Sequence, residues 1–131
     1  MTKVLVVALL PGLSAKVHLK VSEKDTAIAF RSGEVPVLAT PRLIALCEEA
    51  TSLAVAGNIK EGCTTVGMRV RFDHLAPTRV GVEVTAEATL ERVEGSRLTF
   101  TVLARDPNGV IGVGKVTRVV VEVERFLKKA H

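Results

Sequence analysis

Aromatic side chains are nearly absent from this chain: it has four Phe, no Trp and no Tyr, 3% of its residues. Proteins that grip single-stranded nucleic acid stack bases on aromatic rings, so the scarcity argues against that class of ligand. It also means that the core must be aliphatic, drawn from the Val, Leu and Ala of a 47% hydrophobic composition. Cysteine is equally scarce. Cys47 and Cys63 have no CxxC spacing and read as reduced, partly buried thiols of a cytoplasmic protein. Metal-site patterns are missing too. His18, His74 and His131 lie far apart with no HExxH run, and no metal is expected. No apolar run reaches the length of a membrane span, so no membrane partner is expected. Met1 to Ala15 loosely mimics a short signal peptide, but one Lys is a weak charged region. The Val-containing run Val4–Leu10 equally suits an edge or extra strand.

What is present fits one domain covering residues 1–131, large enough for a real core. Eighteen basic against 14 acidic residues leave a net charge of +4, scattered rather than in a tract. That balance suits small phosphate-bearing ligands better than nucleic acid.

Lys16 to Val21 alternates apolar and polar residues, the mark of a half-buried strand. A short helical turn is expected over Thr26–Phe30, followed by a loop at Arg31–Glu34 that suits a lid, though loops of this kind are more often plain connections. Thr40-Pro41 then opens the one long helical pattern, about Pro41 to Ala56, with Thr40 as the expected N-cap and Pro41 as the first helical residue. Gly57-Asn58 stops it. At 100° per residue, Leu43, Leu46, Cys47, Ala50, Leu53 and Ala54 form the apolar stripe. Glu48 lies beside it with Ile44, Thr51 and Val55. Glu49 falls with Arg42, Ala45, Ser52 and Ala56 on the polar side and reads as an ordinary surface glutamate. Glu48 is the unusual one.

Four long strands follow. In Thr64–His74, alternation sends Val66, Met68, Val70, Phe72 and His74 one way and Gly67 the other. Gly67 in mid-strand signals a bulge or a close approach by another group. Alone, an inward histidine such as His74 is more often a hydrogen-bonded core residue than a catalyst. Val80 to Leu90 alternates without a break, and Glu94-Gly95-Ser96 turns the chain. Leu98, Phe100, Val102 and Ala104 face inward on the next strand. Asp106-Pro107-Asn108-Gly109 is a hairpin turn, and a last strand runs from Val110 to about Phe126, bulged at Gly112 and Gly114. The expected class is α+β: an antiparallel sheet with one apolar face, wrapped on a single long helix, which is the hot-dog pattern. An exposed edge strand commonly pairs with its twin, so a homodimer or higher homo-oligomer is expected.

Several spaced segments carry a family resemblance. Val-Leu-Ala-Thr40, Glu48 eight positions later, Thr-Val-Gly67, and His74 twenty-six residues after Glu48 are among them. So are Val93-Glu94-Gly95-Ser96-Arg97-Leu98 and Ile111-Gly112-Val113-Gly114 through Arg118. Over about residues 35–127 the chain resembles the hot-dog thioesterases related to fluoroacetyl-CoA thioesterase. The resemblance implies a catalytic trio of Thr40, Glu48 and His74, with Gly67 and Arg118 at the substrate. It implies an acyl-CoA substrate whose coenzyme A is the leaving group, with no retained cofactor. Phosphate partners for it are sought among Arg42, Lys60, Arg69, Arg71, Arg79 and Lys115. Two departures limit what carries over. The lid reads Arg31-Ser32-Gly33-Glu34-Val35-Pro36, without the phenylalanines of the fluoroacetyl-specific member, so fluoroacetyl specificity is not implied. The family's His-Glu-Arg run reads Val116-Thr117-Arg118 here. The alternatives are a non-catalytic acyl-CoA or small-acid binding protein of the same fold, and a hydratase, whose motif is missing.

Overall fold

The computed structural model describes residues 9–130. The extra strand expected over Val4–Leu10 lies outside the described residues except for Leu9 and Leu10, which are not in a strand.

The elements run β1 (Ser14–Lys20), a 3-10 turn at Glu23–Asp25, α1 (Ala27–Phe30) and α2 (Thr40–Val55), which tightens into a 3-10 turn at Ala56–Asn58. Then come β2 (Cys63–His74), β3 (Glu83–Glu94), β4 (Arg97–Asp106), β5 (Gly109–Glu122) and α3 (Val123–Leu127). The strands form one sheet in the order β1-β3-β4-β5-β2, antiparallel throughout. Helix α2 lies across its inner face. On β3 and β4 the inward residues Val84, Ala86, Ala88, Leu90, Leu98, Phe100, Val102 and Ala104 are all buried. The alanines keep this face shallow, so the helix can approach closely. Leu43 and Leu46 are the helix's largest contributions, at 0% and 1% exposure; burying each stabilises by roughly 1.5–3 kcal/mol.

Several expected boundaries shift for local reasons. β3 begins at Glu83, not Val80, because Gly81 turns at φ 93° just before it. The last strand stops at Glu122, and Val123–Leu127 is helical instead of extended to Phe126. The buried side of α2 is rotated toward the Glu48 flank: Thr51 and Val55 are buried, whereas Leu53 is 51% exposed. Thr51 is accommodated because its hydroxyl donates to the Glu48 carbonyl at 2.6 Å.

Bulges set which side chains face inward. In β2 the register jumps between Gly67 and Arg69, leaving Met68 as the extra residue. Gly67 therefore shares the inner face with Phe72 and His74, against the simple alternation that separates them. In β5 the extra residue is Ile111, since Ala104 pairs with Gly112 and Arg105 with Val110. Gly112 and Gly114 are not themselves the bulge; they make room for Phe72. An added Cβ at Gly112 collides with the Phe72 ring, and one at Gly114 with the Arg71 carbonyl oxygen. The hairpin at Asp106–Gly109 forms as expected, with the Asn108 N–H donating to the Asp106 carboxylate at 2.8 Å.

Candidate active site

Thr40 opens α2 without capping it. Ala39 occupies the N-cap position, its carbonyl accepting from the Leu43 N–H at 3.0 Å, and no side chain caps this end. The extended approach to the helix is tied down on both sides. Ala27 N–H donates to Val37, Leu38 N–H to Thr78 and Ala39 N–H to Asp25, at 2.8–2.9 Å. Asp25 also clamps the first helical turn, because the Arg42 Nε–H donates to its carboxylate at 2.9 Å. Burial pushes the Asp25 carboxyl up, but hydrogen bonds from Ser22 and Arg42 outweigh it and hold it below its ordinary value. Arg42 is thus engaged within the protein and is not a free phosphate partner.

Relieved of capping, the Thr40 hydroxyl turns to the end of β2, where Oγ1 lies 2.7 Å from His74 Nδ1. The other ring nitrogen, Nε2, is buried with no hydrogen-bond partner among the described residues. Burial lowers the His74 pKa, with a backbone contact at Ala76 acting the other way. At neutral pH the ring is therefore uncharged and able to take a proton. The pair borders a cleft of about 330 Å³. Ser32 and Gly33 of the expected lid line it, together with Val35, Val37, Leu75 and Pro77.

Glu48 stands about two turns further along α2. Its side chain is 36% exposed, and Oε2 lies 3.8 Å from Arg118 Nη1. Arg118 is nearly buried on the neighbouring β5. Its Nε–H donates to Thr65 Oγ1 at 2.8 Å and Nη2 to the Thr65 carbonyl at 3.0 Å. Gly67 completes the group: an added Cβ there would meet Glu48 Oε2 at 2.7 Å. Among the described residues, then, the hydrogen bonds and ion pairs join Thr40 to His74 and Glu48 to Arg118, with none between the two pairs. Glu49 is exposed, as its position on the wheel requires. Thr65, the anchor of Arg118, stands in the Thr-Val-Gly67 segment, but the sequence alone gives it no role of its own.

Cys47 next to Glu48 is packing. It is 1% exposed, and burial, reinforced by the Glu48 charge, pushes its thiol up to about 12, so it offers no thiolate.

The model of the fluoroacetyl-CoA-specific thioesterase family matches residues 21–124. The chain belongs to this family of thioester hydrolases. It is 37% identical to the fluoroacetyl-CoA thioesterase of Streptantibioticus cattleyicolor over 95 residues, 72% of this chain and 68% of the relative. A solved structure of fluoroacetyl-CoA thioesterase superposes with a TM-score of 0.87 at 30% identity, covering 93% of this chain and 95% of that one. A hot-dog-like protein from Thermanaerovibrio acidaminovorans superposes at 0.84 with 30% identity, covering 91% and 88%. The fold is the hot-dog fold.

Proposed function

We propose that this chain hydrolyses acyl-CoA thioesters carrying small acyl groups, with Thr40, Glu48 and His74 as its reactive residues. The observation that carries the reading is the 2.7 Å contact of Thr40 Oγ1 with His74 Nδ1 at the border of the cleft. A hydroxyl beside an uncharged imidazole is the arrangement of an activated nucleophile and its base. Thr40 attacks the thioester carbonyl while His74 takes the hydroxyl proton. The carbon–sulfur bond then breaks, and the departing coenzyme A sulfur receives that proton. In the second half Glu48 draws a proton from water, and the water oxygen bonds to the acyl carbon as that carbon's bond to Thr40 Oγ1 breaks. The proton passes on to Oγ1, restoring the hydroxyl and the Glu48 carboxylate as the acid leaves. The uncapped start of α2 supplies backbone N–H groups and positive dipole charge for the developing oxyanion. Gly67 and Arg118 act on the substrate through Glu48, by leaving it room and facing it with a cation.

Coenzyme A enters as part of the substrate, and the chemistry needs no retained cofactor. The setting is the cytoplasm; among the described residues no helix is long and apolar enough to cross a membrane. The working unit is a homodimer formed along β2. That strand ends the sheet and exposes Met68 and Val70, at 43% and 37%, and His74 sits on it. Sedimentation at micromolar protein tests the dimer.

The deciding experiment follows thiol release from short acyl-CoA substrates, in wild type and Thr40→Ala. Release by the wild type that is lost in the variant is expected. Binding of acyl-CoA without any release would instead make the chain a binding protein.

A further inference from the structure

The outer face of the sheet, turned away from α2, carries a cationic cleft of about 320 Å³ that no step of thioester hydrolysis uses. Its centre is one row of side chains running across four strands. Arg92 on β3 pairs with Thr99 on β4, Thr99 with Thr117 on β5, and Thr117 with Arg69 on β2. Two hydroxyls thus lie between two guanidinium groups. Neither hydroxyl makes a hydrogen bond among the described residues, although Thr117 is only 9% exposed.

Both arginines owe their direction to bulges. On β3 the inward residues run Val84, Ala86, Ala88 and Leu90, so unbroken alternation would send Arg92 inward. The extra residue Glu91 turns it out. On β2 the inward residues include Thr65 and Gly67, and Met68 turns Arg69 out in the same way. Two separate irregularities bring the row together on one face.

The charge is not balanced within the chain. Arg71 pairs directly with Lys115 across the strands, an unfavourable placement of like charges. Arg97 lines the same cleft. Two carboxylates stand nearby: Glu91 is 3.2 Å from Lys115 and Glu94 is 3.6 Å from Arg92. Arg69, Arg71 and Arg97 have no ion-pair partner among the described residues. A flat surface tolerates such charge in water. Here the groups converge on one concavity with hydroxyl donors at its floor, the donor set that suits adjacent phosphate groups.

We propose that this cleft binds a small pyrophosphate-bearing anion, gripped by Arg69 and Arg92 from opposite ends and by the Thr99 and Thr117 hydroxyls between them. Among the described residues that line the cleft there is no aromatic side chain for base stacking. Titration calorimetry of the full chain with inorganic pyrophosphate at low salt tests it. One pyrophosphate per chain is expected, with affinity falling roughly tenfold or more in Arg69→Gln/Arg92→Gln, because two charge-assisted contacts are lost. The same anion should raise the melting temperature of wild type but not of the double variant. Glu48→Gln should bind it normally, which separates this site from the hydrolytic one. Parallel titration with coenzyme A identifies the source. A matching loss in the double variant means the substrate's own pyrophosphate docks here; unchanged coenzyme A binding means a separate ligand. No heat at about 1 mM pyrophosphate, or equal binding by wild type and the double variant, overturns the proposal.

Discussion

Gly67 lies directly against the Glu48 carboxylate, so close that a Cβ at position 67 would stand 2.7 Å from Oε2. The glycine is required by a side chain on another element rather than by its own backbone: no positive φ is involved. Gly67→Ala should therefore fold. The atom it meets is the free end of a flexible side chain, which can swing aside. Melting should stay near wild type, while thiol release falls about 100-fold, because a displacement near 1 Å at a reacting group costs that much. A melting temperature well below wild type, or unchanged thiol release, would contradict this account.

The two neighbouring glutamates give a paired comparison. Glu48 is half-buried and faces Arg118, whereas Glu49 is exposed. Glu48→Gln should lower thiol release by about 100-fold or more, the typical contribution of a general base. Glu49→Gln should leave it unchanged. Steady-state kinetics on one short acyl-CoA decides between them, and equal loss in both would remove Glu48 from the mechanism.

His74 predicts a pH dependence. Its pKa in the folded chain is lowered, mainly by burial. The unfolded chain therefore takes up a proton near the ordinary value of about 6.5 that the folded chain still refuses. Stability is full above that pH and falls as pH drops toward the lower folded value. Activity should fall through the folded value as the imidazole base is protonated. His74→Gln should flatten that part of the stability profile; urea midpoints across the range measure it, and an unaltered slope would sink the assignment.

Arg118 depends on Thr65 for its position. Thr65→Val keeps the volume but removes the acceptor of the 2.8 Å bond from Arg118 Nε–H. Both residues are buried, at 7% and 9% exposure, so the orphaned donor should cost about 1–3 kcal/mol in urea unfolding. Activity should drop as well, because the cation that faces Glu48 keeps only its Nη2 bond to the Thr65 carbonyl and loses the bond that fixes its direction. Thr65→Ser, which restores the acceptor, should recover most of both.

Much of this was legible in the linear pattern. The alternation of Val80–Leu90 and of β4, the Asp-Pro-Asn-Gly hairpin and the lone long helix specify an antiparallel sheet on a helix, because period and turn chemistry are local properties. The separation of Glu48 from Glu49 is also local, following from 100° per residue. Gly67 signalled an irregularity in β2, but the sequence could not supply the register itself. One extra residue at Met68 moves Gly67 onto the face of His74, and bulges at Met68 and Glu91 turn Arg69 and Arg92 outward. Such slips depend on how two strands pair, which no single strand encodes. The same holds for partners. Sequence spacing allied Glu48 with His74, but the placement of α2 on the sheet brings Thr40 to His74 at the end of β2 and Glu48 to Arg118 on β5. By itself the sequence determined the elements and the residue types available for chemistry. Tertiary structure decided which of them meet, because a contact between helix and sheet is set by the depth and register of their packing.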